Sequence, residues 1–588
     1  MIKERISKLR AKMLENNVQA YIVPTSDFHE TEYVCDYFAC RKYMSGFTGS
    51  AGVLVVLLDK AALWTDGRYF IQAASQLEGS GIDLMKMGQP GVPEIDAYIV
   101  ENLKENDTVG FDGRVMNTKD ALAYKSVFDL AHLNMNVNLD LVNEVWTDRP
   151  QLPSTPTFHY SEKFSGESVE SKLSRLRAFL KENKVDSIVL TSVDQIAWLY
   201  NLRAHDIPNF PVALAYSIVS LESASIYMDA SRLDELSLKE FKDNHVTVCG
   251  YSDIYLSTKA LTGSVLVDPS SVNYAIVSNL QAKPVFKESP IILWKALKND
   301  TELKCTKWAH IKDGVAVTKF MYWLKKNAGK IEMSEMSVQS KLQVFRSEQE
   351  NYLEDSFDTI CAYKEHAAMM HYSSKPETNV EITNSGMLLI DSGGQYLEGT
   401  TDITRTFVLG ELTEEEKIHY TLVLKGHINL SKAVFQKGCS GGNLDILARQ
   451  PLWSHGLDYR CGTGHGVSYF GGVHEGPQGF RLTQTVPLQP GMMTTNEPGV
   501  YEAGRHGIRI ENTLLVVEKC ATEYGEFYEF ETISYFPIDT KAIIVEMLND
   551  EELAWFNQYH QKVVETLSPH LTGKALEWLK REAIQLSR

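Results

Sequence analysis

Hydrophobic and polar positions follow one pattern twice in the first half of the chain. Residues 9–27 read LRAKMLENNVQAYIVPTSD, and residues 176–194 read LRAFLKENKVDSIVLTSVD. Seven of the 19 aligned positions are identical at a shift of 167 residues. In each copy, apolar residues at helical spacing run into a short apolar stretch and then a polar turn, which predicts a helix, a strand and a turn. Two copies at this spacing cannot stack as a solenoid, so the repeat predicts two related α/β domains.

The pattern changes in the second half of the chain, where helices are separated from pairs of strands. Helices are predicted near residues 300–326, 414–435 and 444–452. The runs GMLLIDSG, TTDITRTFVLG, MMTTNEPGVY and IRIENTLLVV have the apolar, β-branched character of strands. Helices that are segregated from hairpins in this way are typical of an α+β domain.

Two proline-bearing stretches predict linkers between these regions. They are RPQLPSTP at residues 149–156 and KPVFKESP at residues 283–290. They divide the chain at sizes that suit domains. We therefore predict an α/β domain over residues 1–155, a related α/β domain over residues 156–290 and an α+β domain over residues 291–588.

Composition and charge argue against several classes of protein. The 588 residues include 58 Lys and Arg against 76 Asp and Glu, a formal net charge of −18, which disfavours broad binding to nucleic acids or anionic membranes. Eight scattered cysteines without a CxxC pair disfavour a zinc ribbon or a disulfide framework. The longest apolar run, residues 53–58, is too short for a membrane span, and the charged start MIKERISKLRAKM has no apolar signal core. We expect a soluble, cytoplasmic protein.

Two predicted hairpins in the last domain each carry two carboxylates. Asp391 and Asp402 lie equally far from a predicted turn at residues 396–397, and Glu497 and Glu511 lie equally far from a glycine turn. Residues opposed across antiparallel strands place their side chains on one face, with Cβ atoms about 5 Å apart. Carboxylates within apolar strands are costly unless positive charge neutralises them. Two divalent cations would neutralise all four.

A histidine completes this candidate metal site. His465, in CGTGHGVSYF, is the obvious nitrogen ligand, and an oxygen-rich site with one imidazole suits Mn²⁺, and also Co²⁺, Zn²⁺ or Fe²⁺. Two such ions can activate a water and polarise a carbonyl for hydrolysis. Ordinary explanations remain open, because an Asp at a strand turn commonly forms the turn, a His between glycines commonly lies in a surface loop, and Glu511 can pair with Arg509. Spacing alone does not decide between them.

Longer motifs carry a resemblance to a known family. IDSGGQYLEGTTDITRTF, MMHYSSKPETN, GTGHGVSYFGGVHEGP and NEPGVYEAGRHGIRIEN closely resemble motifs of the aminopeptidase P family of Xaa-Pro aminopeptidases. These are metallopeptidases of the pita-bread fold, which methionine aminopeptidase and prolidase share. WTDGRYFIQAA and AHIKDGVAVTKF also resemble the long, three-domain cytosolic form. The resemblance covers essentially the whole chain and implies two creatinase-like N-terminal domains before a pita-bread catalytic domain.

The resemblance implies a role for individual residues. The implied ligands of two metal ions are Asp391, Asp402, His465, Glu497 and Glu511. Glu497 would also accept a proton from the nucleophile. His371 and His474 would contact the substrate and stabilise the tetrahedral intermediate. The implied pocket residues are Tyr501, Arg509 and, from the first domain, Arg68.

Each of these further residues also has a simpler explanation. His371 is compatible with a buried core histidine, and His474 with an ion pair to Glu475. Arg509 could only orient Glu511, and an Arg in a turn such as Arg68 is usually a surface charge.

One position departs from the family pattern. Long members often have His-Gly-Thr-Gly-His, whereas this chain has Cys461-Gly-Thr-Gly-His465. The metal ligand is kept, but the first histidine, which is implicated in the proline-side pocket, is replaced by a thiol that hydrogen-bonds poorly. The substitution bears on substrate affinity or preference and leaves metal binding intact. A structural cysteine that fills the same space is the simpler explanation.

The implied activity is the release of the N-terminal residue from short peptides with proline at position two. The X-Pro amide has no N–H, so peptidases that bind this group cannot use it. The resemblance implies two divalent ions, most often Mn²⁺ with Zn²⁺ or Co²⁺ as options, and a homodimer. Alternatives are a prolidase-like dipeptidase, a methionine aminopeptidase, against which the two extra domains argue, and a non-catalytic pita-bread module that binds peptides.

Overall fold

A computed structural model describes all residues from 1 to 588. The chain forms two compact units, Met1–Ile291 and Ile292–Arg588. Each unit is described by itself below. No helix in either unit combines the length and the apolar character that crossing a membrane would require.

The first unit contains two six-stranded mixed sheets and one short two-stranded sheet. Its strands are β1 (Ala20–Pro24), β2 (Val53–Leu57), β3 (Ala61–Thr65), β4 (Asp83–Lys86), β5 (Thr108–Gly110), β6 (Asn134–Asn136), β7 (Phe158–His159), β8 (Ser187–Leu190), β9 (Leu202–Arg203), β10 (Tyr216–Ser220), β11 (Ala224–Tyr227), β12 (Val246–Cys249), β13 (Ser264–Val267) and β14 (Lys283–Phe286). Its helices are α1 (Ile2–Glu15), α2 (Cys40–Ser45), α3 (Phe70–Gln76), α4 (Ile95–Asn102), α5 (Thr118–Leu130), α6 (Leu141–Val145), α7 (Glu162–Ser165), α8 (Val169–Glu182), α9 (Val193–Leu199), α10 (Glu235–Asp243), α11 (Ile254–Lys259) and α12 (Tyr274–Val277).

The two large sheets have the same topology. Their strand orders are β4-β3-β2-β1-β5-β6 and β12-β11-β10-β8-β13-β14. In the first sheet, the pairs β1–β2 and β2–β3 are antiparallel, and in the second sheet the corresponding pairs β8–β10 and β10–β11 are antiparallel. The other three strand pairs of each sheet are parallel. Helices α1 and α8 begin and end 167 residues apart, and Leu9 and Met13 correspond to Leu176 and Leu180, all fully buried. The predicted duplication is confirmed.

The second predicted linker is wrong. KPVFKESP contains β14, which pairs in parallel with β13 as the edge strand of the second sheet. Pro284 lies within this strand, a position that proline tolerates because an edge strand has one side without a ladder partner. The proline signal therefore marked a sheet edge. The division at residues 155/156 and 290/291 stays a prediction.

The second unit combines long helices with four sheets. Its helices are α13 (Pro290–Ala296, which begins in the first unit), α14 (Asp300–Asn327), α15 (Glu335–Ser347), α16 (Glu414–Ser431), α17 (Gly441–Trp453), α18 (Asp550–Leu567) and α19 (Gly573–Glu582). Its strands are β15 (Tyr352–Asp355), β16 (Ile360–Tyr363), β17 (Met387–Ser392), β18 (Gly394–Tyr396), β19 (Gly399–Thr400), β20 (Ile403–Val408), β21 (Val434–Gln436), β22 (Gly464–Gly466), β23 (Glu475–Phe480), β24 (Met493–Asn496), β25 (Gly499–Glu502), β26 (His506–Arg509), β27 (Asn512–Thr522) and β28 (Gly525–Thr532).

The predicted helices and strand pairs of this unit are present, but the helix predicted to reach residue 435 ends at Ser431, because Val434–Gln436 form β21. Helix α14 begins at a capping box between Asn299 and Glu302, and α16 at another between Thr413 and Glu416. The sheets have the orders β15-β18-β19, β16-β17-β20, β21-β28-β27-β24-β22-β23 and β25-β26. Helix α16 is buried along most of its length against the core that contains Val500. This packing of helices on antiparallel strands is the α+β architecture that the sequence predicts.

Candidate metal centre

The first carboxylate pair comes from the β17–β20 ladder. Asp391 of β17 is paired with Thr404 of β20, and the β18–β19 hairpin continues the same register. The prediction that Asp391 and Asp402 are directly opposed is therefore wrong by two residues. The turn lies one position later than the symmetry of the carboxylates suggested. Because strand side chains alternate with a period of two, Asp402 still shares a face with Thr404 and lies diagonal to Asp391.

The second carboxylate pair comes from a hairpin whose predicted register is confirmed. Asn496 pairs with Asn512 in β24–β27, and Gly499 pairs with Arg509 in β25–β26. Glu497 and Glu511 lie in the gap between these two ladders, at positions that the same register opposes. The turn is at Gly504, whose φ of +72° is a backbone conformation that glycine adopts without a steric penalty.

His465 lies on β22, within hydrogen-bond range of both hairpins. Its Nε2 is 3.4 Å from Asp402 Oδ2 and 3.5 Å from Glu497 Oε1. The ligand atoms of Asp402, His465 and Glu511 all lie within 4.8 Å of one another. Two predicted hairpins and the separate strand β22 therefore converge on one point.

The carboxylates at this point raise each other's pKa values. Burial raises the pKa of Asp402 well above its ordinary value, and the charge of Asp391 raises it further. Burial also raises the pKa of Glu511 well above its ordinary value, with added repulsion from Asp402, Asp391 and Glu497. Burial raises the pKa of Glu497 to about 7, although His465 and Arg509 oppose this shift. The cluster therefore carries more negative charge than the surrounding protein neutralises.

Two observations indicate that these residues suit divalent cations. His465 Nδ1 lies 2.9 Å from the carbonyl oxygen of Gly466, which only accepts, so Nδ1 carries the proton and the Nε2 lone pair faces the carboxylates. This is the tautomer that a metal-binding imidazole needs. In addition, Asp391 Oδ1 is buried without a hydrogen-bond partner. A buried carboxylate oxygen without a hydrogen-bond partner is energetically costly, and binding to a cation would offset that cost.

Arg509, which the sequence suggested could orient Glu511, holds Asp391 directly and reaches Glu511 through the Thr404 hydroxyl, to which its Nε donates at 3.2 Å. Its Nη2 donates to Asp391 Oδ2 at 2.6 Å, and its Nη1 donates to the Tyr501 hydroxyl at 2.7 Å. Glu511 is held by the Thr404 hydroxyl at 2.7 Å. Arg509 thus connects one metal-ligand candidate to Tyr501 on the same hairpin.

The two further histidines approach the site from different segments. The rings of His474 and His465 meet edge to face, with centroids 4.2 Å apart. His371 follows Met370, whose carbonyl oxygen accepts from Arg509 Nη2 at 3.4 Å. Both histidines are half-buried. Their positions are compatible with contact to a substrate, which stays a prediction.

Comparison with known proteins gives the family of this chain. Residues 304–518 match metallopeptidase family M24 and residues 526–586 match the C-terminal region of peptidase M24, while residues 5–139 and 148–302 match creatinase/prolidase N-terminal domains. Aminopeptidase P2 of Arabidopsis thaliana is 39% identical, covering 98% of this chain and 88% of the relative. The chain belongs to the aminopeptidase P family.

Two solved structures separate this family from its neighbours. The X-prolyl aminopeptidase of Caenorhabditis elegans, described as a cytosolic enzyme with a di-nuclear active site, matches with a TM-score of 0.94 and 34% identity over 100% of both chains. A Xaa-Pro dipeptidase from Bacillus anthracis covers 63% of this chain and 99% of its own, with a TM-score of 0.51 and 23% identity. The second match shows the fold alone. Membership in the aminopeptidase P family makes the second unit a pita-bread metallopeptidase domain and the first unit a pair of creatinase-like domains.

The sequence of this aminopeptidase P family member did not reveal the polar network behind Glu497 and Glu511. His427 Nδ1 donates to the Asn496 carbonyl at 3.1 Å, so its Nε2 accepts from Asn512 Nδ2, also at 3.1 Å. Burial lowers the pKa of His427 to about 3, which keeps this tautomer neutral. Arg405 donates to the Glu511 carbonyl oxygen and to Asn512 Oδ1. The one available signal was the matched asparagines beside Glu497 and Glu511, one on each strand.

Two other predicted residues have defined surroundings. The carbonyl of Cys461 accepts from Arg449 Nη2 at 2.7 Å, and its half-buried side chain packs against the apolar core next to Tyr501. Arg68 belongs to the first unit, where Asp66 binds its guanidinium at 2.8 and 2.9 Å. Its contact with a substrate stays a prediction.

Proposed function

We propose that this chain is a dinuclear Xaa-Pro aminopeptidase, which releases the N-terminal residue from short peptides with proline at position two. The observation that carries the proposal is the convergence of Asp402, His465 and Glu511 within 4.8 Å, in a chain whose whole length matches an X-prolyl aminopeptidase. The proposed ligands are Asp391, Asp402, His465, Glu497 and Glu511. When bound, the two ions would supply electrophilic activation of the scissile carbonyl and of a water.

Glu497 is the residue we propose as the proton acceptor. Its side chain is 19% exposed, compared with 4% for Asp402, so it is the more accessible to a substrate water. Attack of that water on the carbonyl carbon would transfer a proton to Glu497. As the C–N bond breaks, the proton would move to the proline nitrogen, which leaves as a secondary amine. Glu497 would return to its starting state.

His474 and His371 would act on the reacting carbonyl and on the peptide backbone. A hydrogen bond from His474 to the developing oxyanion would be stronger in the transition state than in the ground state, which is the condition for catalysis. We propose that His371, Tyr501 and Arg509 orient the peptide, with Arg68 as a candidate contact from the first unit.

The metal, the assembly and the location are the finer parts of the proposal. Carboxylate-rich sites with one imidazole suit Mn²⁺, and Zn²⁺ or Co²⁺ are the alternatives. We propose a homodimer, which light scattering would detect as twice the 66.3 kDa of one chain. The charge of −18 disfavours nucleic acid and anionic membranes as partners. A cytosolic location would match that described for the Caenorhabditis elegans enzyme.

Hydrolysis of Arg-Pro-Pro by chelated protein, before and after addition of Mn²⁺, tests the proposal. Arg-Ala-Ala and the dipeptide Arg-Pro are the controls. We expect metal-dependent cleavage of the first Arg-Pro bond of the tripeptide and no cleavage of Arg-Ala-Ala. Preference for the dipeptide would indicate a prolidase. Failure to cleave any of the three with Mn²⁺, Zn²⁺ or Co²⁺ would replace the proposal with a peptide-binding module.

A further inference from the structure

A second buried charge cluster lies next to His474 and has no role in the proposed chemistry. The carboxylate of Glu475 accepts from Lys295 Nζ at 2.6 Å, from Lys298 Nζ and from the Ser468 hydroxyl at 3.0 Å. All three ionised side chains are buried. Lys298 also donates to the carbonyl oxygen of Lys295 at 2.8 Å. Two ammonium groups thus hold one carboxylate in a place where each would be costly alone.

The backbone places Glu475 directly after His474 and opposite Gly466, which follows His465. Residues 464–466 of β22 pair with residues 475–480 of β23, and Gly466 pairs with Glu475 itself. The intervening loop, residues 467–474, begins two residues after His465 and ends at His474. Glu475 therefore fixes the C-terminal end of this loop, and its bond to Ser468 closes the loop across its base.

The loop is held at a second point by different residues. Gln395 Nε2 donates to the Gly471 carbonyl at 2.6 Å, and the Gly471 N–H donates to the Thr400 hydroxyl at 3.1 Å. His474 therefore lies between an anchor at Gly471 and an anchor at Glu475. These anchors hold the backbone on both sides of His474, whose ring lies against that of His465.

We propose that Glu475, clamped by Lys295 and Lys298, is a positioning residue that holds His474 where it can stabilise the transition state. The inference rests on the proposed function, because it assigns a purpose to the position of His474. The three residues would touch neither substrate nor metal. Their effect would pass through the backbone from Glu475 to the adjacent histidine.

Lys298→Met is the most informative substitution. It leaves one lysine for one carboxylate, whereas Glu475→Gln would leave two buried ammonium groups without a counter-charge and could prevent folding. The matched control is Lys425→Met, because Lys425 also donates to one buried carboxylate, Glu552, at 2.6 Å and to one backbone carbonyl, that of Met547, at 2.8 Å. Lys425 has no part in the proposed site.

We expect Lys298→Met to lower kcat for Arg-Pro-Pro by about 10-fold, the usual effect of an outer partner of a functional group. The KM and the bound-metal stoichiometry are expected to stay at the values of the unsubstituted protein. Lys298→Arg should recover most of the kcat because it keeps the charge. Lys425→Met should lower the melting temperature at least as much, because Glu552 then has no lysine partner, but it should keep kcat. In a His474→Ala background, Lys298→Met should cause no further loss of kcat.

Three results would overturn the inference. They are an unchanged kcat for soluble, folded Lys298→Met, a loss of bound metal in that variant, or an equal loss of kcat with and without the His474 imidazole. If Lys298→Met does not fold, Lys295→Met provides the same comparison, because Lys295 is the other lysine that donates to Glu475. Failure of the proposed function is distinguishable, because the unsubstituted protein would then not cleave Arg-Pro-Pro at all.

Discussion

Glu30 in the first unit and the carboxylates of the metal centre have the same electrostatic anomaly but different surroundings. Burial raises the pKa of Glu30 to about 8, with added repulsion from Asp27. Asn117 is its long-range partner at 3.4 Å, and Asp27 is bound by Thr31 and by the backbone N–H of His29. Protonation of the Glu30 carboxyl group alone removes both the cost of burying its charge and the repulsion from Asp27.

At the metal centre, protonation of one group leaves the others in conflict. Four carboxylates lie together, and an imidazole directs its lone pair at them. Only the group of Asp402, His465 and Glu511 brings three ligand atoms within 4.8 Å of one another. A raised pKa by itself therefore does not identify a functional site. Convergence of several ligands, with the tautomer set by the backbone, does.

The largest expected effect on activity comes from removing one of the proposed metal ligands. Asp402→Asn should lower kcat/KM for Arg-Pro-Pro on the order of 1000-fold, because metal activation is worth several kcal/mol. It should also lower the number of bound ions per chain, measured by atomic emission after dialysis. Glu30→Gln is the control, with activity and metal content equal to those of the unsubstituted protein. If Asp402→Asn kept both ions and full activity, the assignment of the centre would be wrong.

The second largest effect on activity is expected at Arg509, which donates to the proposed metal ligand Asp391. Arg509→Lys should lower kcat/KM by about 10-fold to 100-fold, because lysine lacks the planar fork that reaches Asp391 and Tyr501 together. Isothermal titration calorimetry should show that Arg509→Lys binds the metal more weakly than the unsubstituted protein does. Arg68→Lys is the comparison within the first unit, and its metal affinity should be unchanged. Equal metal affinity in Arg509→Lys and the unsubstituted protein would contradict the role of Arg509 as a support for Asp391.

A smaller effect is expected at the position that departs from the family pattern. Cys461→His should lower the KM for Arg-Pro-Pro by about threefold, near the net value of one added hydrogen bond. The metal content should not change, because Cys461 is not a proposed ligand. Cys461→Ala is the control for side-chain volume. A KM that rises in both Cys461→His and Cys461→Ala would show that the thiol only fills space.

No effect on activity is expected for Glu30→Gln. Its measurable effect is on the pH dependence of the free energy of unfolding. The folded pKa of about 8 is above the ordinary value of 4.5, so the folded state favours the protonated carboxyl. This contribution to stability is complete below pH 4.5 and is lost as the pH rises through 8, with a slope of at most about 1.4 kcal/mol per pH unit. Denaturant melts of Glu30→Gln should lack this component. Identical pH profiles for the two proteins would show that Glu30 titrates normally.

The sequence predicted element types and the second hairpin well, because both depend on local patterns. The helix and strand in each copy of the repeat and the register of Glu497 and Glu511 follow from patterns within short stretches of sequence. The predicted register of the first hairpin was wrong because an inner pair of short strands, β18 and β19, places the turn one position later. A symmetric spacing of carboxylates could not reveal that shift.

The supporting contacts could not be predicted because they join residues that are distant in the chain. Arg509 reaches Asp391 across 118 positions, and Lys298 reaches Glu475 across 177. Each partner taken singly looks like an ordinary charged residue. The resemblance to the family supplied the candidate ligands, but it did not indicate which charge binds which.

The shared register on both sides of Glu497 and Glu511 limits how this hairpin tolerates changes in length. Deleting one residue from an arm between the turn and either glutamate would move the remaining residues of that arm to the opposite face of the sheet. A single insertion at Gly504 would be absorbed only if the tip bulged. Length variation that keeps the site intact is therefore expected as paired changes, one residue in each arm, or as changes confined to the loop at the tip.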